Sequence, residues 1–186
     1  MSPRIDFRAI AKFHKTKLEK IKVILFDVDG ILTDGKIYYQ SDEMGFNRMF
    51  HTLDGYGMKM MMKAGFKMGI ISGGNSIGLK KRCDLLKLDY VRLGNENKIP
   101  AYEEIKTLAN VKDEEIAYMG DEFFDLPVLR KVGFSATVTH ASMEIQESVD
   151  YVCYRAAGEG CAREVIDLIR YAQGIRPEEK GYSQLF

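Results

Sequence analysis

The sequence predicts an α/β fold: a parallel sheet with helices on both faces and a small β-hairpin inserted after the first strand. Three observations predict it. Short apolar runs alternate with helical patterns through most of the chain, the order of a parallel sheet covered on two sides. The first run, Ile21-Lys22-Val23-Ile24-Leu25-Phe26, is largely apolar and β-branched, as a central strand buried on both faces requires. One stretch breaks the alternation, where two aromatic-rich segments flank a polar turn.

The elements follow in chain order. Residues 1–20 are charged throughout and read as an amphipathic helical arm, with Ile5, Phe7, Ile10, Phe13 and Leu18 as the packing candidates. After the first strand come Lys36–Gln40 and Gly45–Phe50, joined by Ser41-Asp42-Glu43-Met44, a hairpin spanning about 35–51. Further strands are expected at Lys67–Ile71, Leu88–Val91 and Glu115–Met119, with weaker ones at Val132–Ser135 and Tyr151–Cys153. Helical patterns separate them at Tyr56–Ala64, Ile77–Leu86, Ile99–Leu108, Leu126–Lys131 and Ala162–Tyr171. A main domain over 21–176 and a short tail over 177–186 complete the expected organisation. The hairpin's aromatic residues Tyr38, Phe46 and Phe50 either pack on the domain or invite self-association.

Composition narrows the function classes. The 186 residues suit one domain with a real core, and their formal net charge of zero argues against a generic nucleic-acid binder. No run approaches the ~18 apolar residues of a membrane span. The charged N-terminus carries no apolar signal core, so a cytoplasmic location is expected. Cys83, Cys153 and Cys161 are odd in number and form no CxxC, which suggests free thiols rather than disulfides. His14, His51 and His140 do not cluster with them, so no zinc site is expected, and His51 and His140 read as structural or surface residues.

The chemistry collects where ligands of open α/β sheets bind, beyond the carboxyl ends of the strands. Asp27-Val28-Asp29-Gly30 follows the first strand, Ser72-Gly73-Gly74-Asn75-Ser76 the second long run, and Gly120-Asp121-Glu122 the run ending at Met119. Three strand ends thus deliver three aspartates and a hydroxyl to one edge. Carboxylates crowded together call for a cation, and hard oxygen ligands suit magnesium, which bridges to phosphate. Of Asp27 and Asp29, one can attack phosphorus while the other handles the proton. The Ser72 hydroxyl and the backbone N–H groups near Gly73 can bind phosphate oxygens at a helix start.

These residues resemble the haloacid dehalogenase superfamily. The match is DxDGxxTD over Asp27–Asp34, then Ser72, Lys98, and Gly120-Asp121 with Asp125. Within that superfamily the chain is similar to the capless 3-deoxy-D-manno-octulosonate 8-phosphate phosphatases. The similarity lies in Phe50–Gly57, Asn97–Tyr102, Tyr118–Asp121 with Leu126–Leu129, and Gly158–Val165. It extends from about Ile21 to Gly174.

The resemblance implies a Rossmann-like (haloacid dehalogenase-like) fold and a magnesium-dependent phosphatase acting on a sugar-acid phosphate. It implies that Asp27 forms a phosphoaspartate and that Asp29 is the general acid/base. It assigns the metal to Asp27, Asp121 and the backbone carbonyl of Asp29. Ser72, Gly73 and Lys98 are then the phosphate-binding residues, with Asp125 orienting Lys98. Asp54, Gly55, Asn75 and Arg163 are the substrate-binding candidates. The resemblance also implies a homotetramer in which the hairpins assemble and the tail near Gly158–Arg163 reaches a neighbouring site. Two positions depart from the pattern: Ser72-Gly73-Gly74 stands for T-G-R, and Ala157-Gly158-Glu159-Gly160 for G-G-R-G. Losing the first arginine removes a two-pronged partner for a substrate carboxylate, and glutamate for the second reverses a charge aimed at the substrate. The G-E-G tail is similar to that of a related branch acting on nine-carbon keto-sugar acid 9-phosphates. The alternatives are therefore a nine-carbon keto-sugar acid 9-phosphate or another small phosphate ester as substrate, and more remotely a non-catalytic assembly module.

Overall fold

A computed structural model describes residues 5–176, so the expected tail over 177–186 lies outside the described residues. Six strands, β1 (Val23–Phe26), β4 (Lys67–Ser72), β5 (Tyr90–Leu93), β6 (Ile116–Met119), β7 (Phe134–Val138) and β8 (Tyr151–Cys153), form one parallel sheet. Their order is β5-β4-β1-β6-β7-β8. The hairpin is a separate antiparallel pair, β2 (Tyr38–Ser41) and β3 (Gly45–Asn47). The helices are α1 (Phe7–Phe13), α2 (Lys15–Leu18), α3 (Thr52–Lys63), α4 (Ile77–Leu86), α5 (Ile99–Ala109), α6 (Leu126–Leu129), α7 (Met143–Gln146) and α8 (Cys161–Ala172).

Strand β1 shows why the sheet is buried on both faces. Ile24 and Phe26 enter a core shared with Met58 and Met61 of α3 and with Val165, Ile166 and Ile169 of α8. Val23 and Leu25 point the other way, toward Tyr102 and Ile105 of α5 and Val128 of α6. The period of two along a strand produces this division. All four β1 residues are buried, and covering a side chain of this kind contributes roughly 1.5–3 kcal/mol.

Local chemistry sets the helix limits. The Ser76 hydroxyl caps α4 by accepting from the Leu79 N–H at 3.2 Å. Pro100 opens α5, and Asn110 closes it in a left-handed conformation. Helix α3 begins four residues earlier than its hydrophobic pattern indicates, because His51 Nδ1 accepts from the Leu53 N–H and caps it. Asp54 and Gly55 consequently lie on a helix.

The arm is helical and packs on α8, but two of its five expected packing residues do not serve. Phe7, Ile10 and Leu18 meet the core, whereas Phe13 is 82% exposed and Ile5 39%. Phe7, Ile10 and Ala11 lie at i, i+3 and i+4 and make one stripe, and Phe13 falls off it. In the hairpin, Phe50 packs against the core, while Tyr38 and Phe46 remain exposed. The three cysteines are buried free thiols. Among the described residues no helix is long and apolar enough to cross a membrane.

Candidate active site

Strands β4 and β6 flank β1 on opposite sides, so the chain leaves β1 at the sheet's switch point and a crevice opens beyond its carboxyl end. Three strand exits meet there. The Asp27 N–H donates to Met119 O at 2.8 Å, which locks the end of β1 to that of β6. Ser72 ends β4 and is buried, its hydroxyl accepting from the Gly74 N–H at 3.0 Å. Asp121 follows β6 on the far side.

Lys98 arrives from the start of α5, fully buried. Its Nζ lies 2.7 Å from Asp27 Oδ1 and 2.6 Å from Asp125 Oδ1. The Tyr118 hydroxyl donates to the same Asp125 oxygen at 2.6 Å. Asp125 Oδ2 accepts the backbone N–H groups of Asp121 and Glu122, each at 3.1 Å. Asp125 is thus saturated, and its work is to hold Lys98 against Asp27 and to shape the turn that carries Asp121.

Tight backbone approach makes this packing possible. Gly30 has φ +91°, and a Cβ there would sit 2.0 Å from Asp121 Oδ2. Glycine is needed at position 30 both for the left-handed conformation and for the room.

Asp27, Asp121 and Asp125 bring one carboxylate oxygen each within 4.8 Å of one another. Burial, only partly offset by Lys98, pushes the Asp27 carboxyl up to about 7. Burial and the neighbouring Asp27 and Asp125 push Asp121 up to about 8. Asp121 Oδ1 is buried without a hydrogen-bond partner. A buried acceptor left unpaired among like charges is the setting a divalent cation fits, and the donors are the hard oxygens that magnesium takes. With Asp125 engaged elsewhere, Asp27 and Asp121 are the carboxylates free to hold it.

Asp29 is turned away from this cluster. Its carboxylate receives a two-pronged grip from Arg48, Nε to Oδ1 at 2.6 Å and Nη2 to Oδ2 at 2.9 Å. Both of its carboxylate oxygens are thereby engaged by the guanidinium.

The remaining candidates separate. Gly73 and Asn75 are exposed in the loop after β4. Asp54 is buried, and its Oδ1 accepts from the Arg163 N–H at 2.7 Å, in the first turn of α8. Burial pushes its carboxyl up to about 6. Gly55 faces Arg82, whose Nη2 would be 2.4 Å from a Cβ at that position. Arg163 is held along α8 by Asp167 at 3.0 Å and stacks over Tyr56. Asp54, Gly55 and Arg163 therefore sit where α3, α4 and α8 pack together, and Asp54 Oδ2 is buried there without a hydrogen-bond partner.

The comparisons with known proteins agree with this geometry. The haloacid dehalogenase-like hydrolase family matches residues 88–165. The 3-deoxy-D-manno-octulosonate 8-phosphate phosphatase of Salmonella typhi is 37% identical over 172 residues, covering 90% of this chain and 89% of the relative. The chain belongs to the 3-deoxy-D-manno-octulosonate 8-phosphate phosphatase family. The Escherichia coli K12 member is 36% identical over 90% of this chain and 88% of its own length. The Moraxella catarrhalis phosphatase, solved with magnesium, phosphate and KDO, superposes with TM-score 0.83 at 30% identity, covering 88% and 93% of the two chains. The cobalt-bound Haemophilus influenzae enzyme gives TM-score 0.81 at 38% identity, covering 85% and 92%.

Three groups at the site were not among the candidate site residues, although Tyr118 lies in the Tyr118–Asp121 segment that carries the family similarity. Tyr118 lies inside a strand, where its buried hydroxyl could have been flagged as needing a partner. His140 is exposed, as its sequence reading expects, and its Nε2 lies 3.6 Å from Asp121 Oδ2. Arg48 follows the hairpin's second strand and carries no motif signal.

Proposed function

We propose that the protein is a magnesium-dependent phosphatase that hydrolyses 3-deoxy-D-manno-octulosonate 8-phosphate through a phosphoaspartate on Asp27. The observation that carries this reading is the buried Asp125–Lys98–Asp27 chain set beside Asp121 at the switch point, in a chain of this family. Bound magnesium would be held by Asp27, Asp121 and the Asp29 carbonyl, and would offset the charge of carboxylates and phosphate. Lys98 fixes the Asp27 carboxylate and supplies a cation for the phosphoryl oxygens. The Ser72 hydroxyl and the N–H groups near Gly73 bind the others.

In the first half-reaction an Asp27 oxygen attacks phosphorus, the bond to the sugar oxygen breaks, and Asp29 gives that oxygen a proton. In the second, Asp29 takes a proton from water as the water oxygen attacks phosphorus. The acyl-phosphate bond breaks, and inorganic phosphate and the Asp27 carboxylate are restored.

The same reading makes residues 21–176 the phosphatase domain, with 1–20 as its arm. It makes Asn75 and the tail loop the region that meets the sugar acid. A homotetramer is supported by Tyr38, Tyr39 and Phe46, which the hairpin leaves exposed. Phosphate release with magnesium from a panel of eight- and nine-carbon sugar-acid phosphates tests the substrate. The proposal expects the eight-carbon ester to have the highest kcat/KM. A preference for the nine-carbon ester would overturn the substrate and keep the reaction.

A further inference from the structure

Arg48 is nearly buried, and each of its guanidinium nitrogens has a partner. Nε and Nη2 take the two oxygens of Asp29, and Nη1 donates to Ser76 Oγ at 2.8 Å. Ser76 is also the residue that caps α4, so the guanidinium is anchored to a helix end at one side and to Asp29 at the other. The backbone around it is fixed in turn. The Arg48 N–H donates to Asn47 Oδ1 at 3.0 Å, and a Cβ on Gly78 of α4 would stand 2.4 Å from that same oxygen.

Space for the arrangement comes from Gly74. A Cβ at position 74 would lie 3.0 Å from Arg48 Nη2 and 3.2 Å from Asp29 Oδ2. Any side chain there would press on the pair from the phosphate-loop side.

We propose that Arg48 is a positioning residue: it reaches from the end of the hairpin through the gap left by Gly74 and sets the Asp29 carboxylate where the leaving oxygen is protonated. A planar fork matches a carboxylate in two-point geometry and fixes its plane, which a lysine cannot do. The guanidinium's own bonds are spent on Asp29 and Ser76, so it acts through Asp29 and not on the substrate. The hairpin thereby has a hand in the chemistry through one side chain. The inference rests on the reading of Asp29 as general acid/base.

Leaving groups separate this role from a structural one. A sugar alkoxide needs a proton as it departs, whereas p-nitrophenolate does not, and kcat/KM reports the step that forms the phosphoaspartate. For Arg48→Ala, kcat/KM with the sugar-acid phosphate is expected to fall about 10- to 100-fold, up to the lower bound of a full general-acid effect because Asp29 itself remains, while p-nitrophenyl phosphate stays within about 3-fold. Arg48→Lys, which keeps the charge and loses the fork, is expected to lie between, and it serves if the alanine variant does not fold. In an Asp29→Asn background Arg48→Ala is expected to add no further loss. Equal losses with both substrates, or sugar-acid phosphate activity equal to wild type in the folded Arg48 variant while Asp29→Asn is inactive, would overturn the proposal alone. Full activity of Asp29→Asn would overturn the acid/base reading and the proposal with it.

Discussion

Removing the metal should make folding stability fall as pH rises, and magnesium should lessen that fall. The perturbation is chelation with EDTA. Burial holds Asp27 at about 7 and Asp121 at about 8, both above the ordinary 3.8. The folded chain therefore binds more protons than the unfolded chain between about pH 4 and pH 8, and unfolding free energy declines through that window. At about 1.4 kcal/mol per pKa unit, the Asp121 rise from 3.8 to about 8 amounts to at most about 6 kcal/mol. Asp54, held at about 6, adds to the lower part of the decline. His14 works the other way: burial lowers its pKa, so its contribution is present above the ordinary 6.5 and is lost as pH falls below it toward the lowered folded value. Urea unfolding at pH 5, 6, 7 and 8, with EDTA and with excess magnesium, reads the slopes. Magnesium at about 100 times its Kd should add about 2.7 kcal/mol at neutral pH and flatten the decline. Asp121→Asn should flatten the metal-free slope above pH 6. A metal-free stability that is level or rising from pH 5 to 8, or a decline that magnesium leaves untouched, would refute the reasoning.

Other perturbations follow from the same contacts. Lys98→Met leaves Asp27 and Asp125 buried without their shared cation, so metal-free stability should drop by about 3–5 kcal/mol by urea unfolding. Gly30→Ala forces a left-handed alanine costing roughly 1–2 kcal/mol and drives its methyl into Asp121, so magnesium affinity by calorimetry should weaken along with stability. Glu164 is buried and accepts from the Tyr151 hydroxyl and from the Tyr154 and Arg155 N–H groups. Glu164→Ala should therefore cost about 1–3 kcal/mol while kcat of the folded fraction stays near wild type. Light scattering at micromolar concentration should return a tetramer, and a Tyr39→Lys, Phe46→Lys pair should dissociate it if the hairpin is the contact.

Much of this was legible in the chain. The six parallel strands were visible as short apolar runs, although the one expected at Val132–Ser135 lies at Phe134–Val138 and the one expected at Leu88–Val91 lies at Tyr90–Leu93. Phe26 to Asp27, Ile71 to Ser72 and Met119 to Gly120-Asp121 mark the edge where the site lies. What stayed hidden depends on long-range geometry. Nothing local in Asn47-Arg48-Met49 says that the arginine will cross to Asp29, nineteen positions earlier in the chain. Asp54 sits in a family motif, but that its Oδ1 accepts from the Arg163 N–H, 109 positions later, depends on how α3 packs on α8. The exposure of Phe13 is a matter of helical phase, which composition does not reveal.

The central claim is that phosphate passes through Asp27. Rapid acid quench of the wild-type protein with magnesium and ³²P-labelled 3-deoxy-D-manno-octulosonate 8-phosphate tests it most directly, followed by peptide mapping and comparison with Asp27→Asn. The account predicts acid-stable, hydroxylamine-sensitive label on the peptide carrying Asp27, and neither label nor phosphate release in the variant. Phosphate release without protein-bound label, or by Asp27→Asn at the wild-type rate, would contradict it.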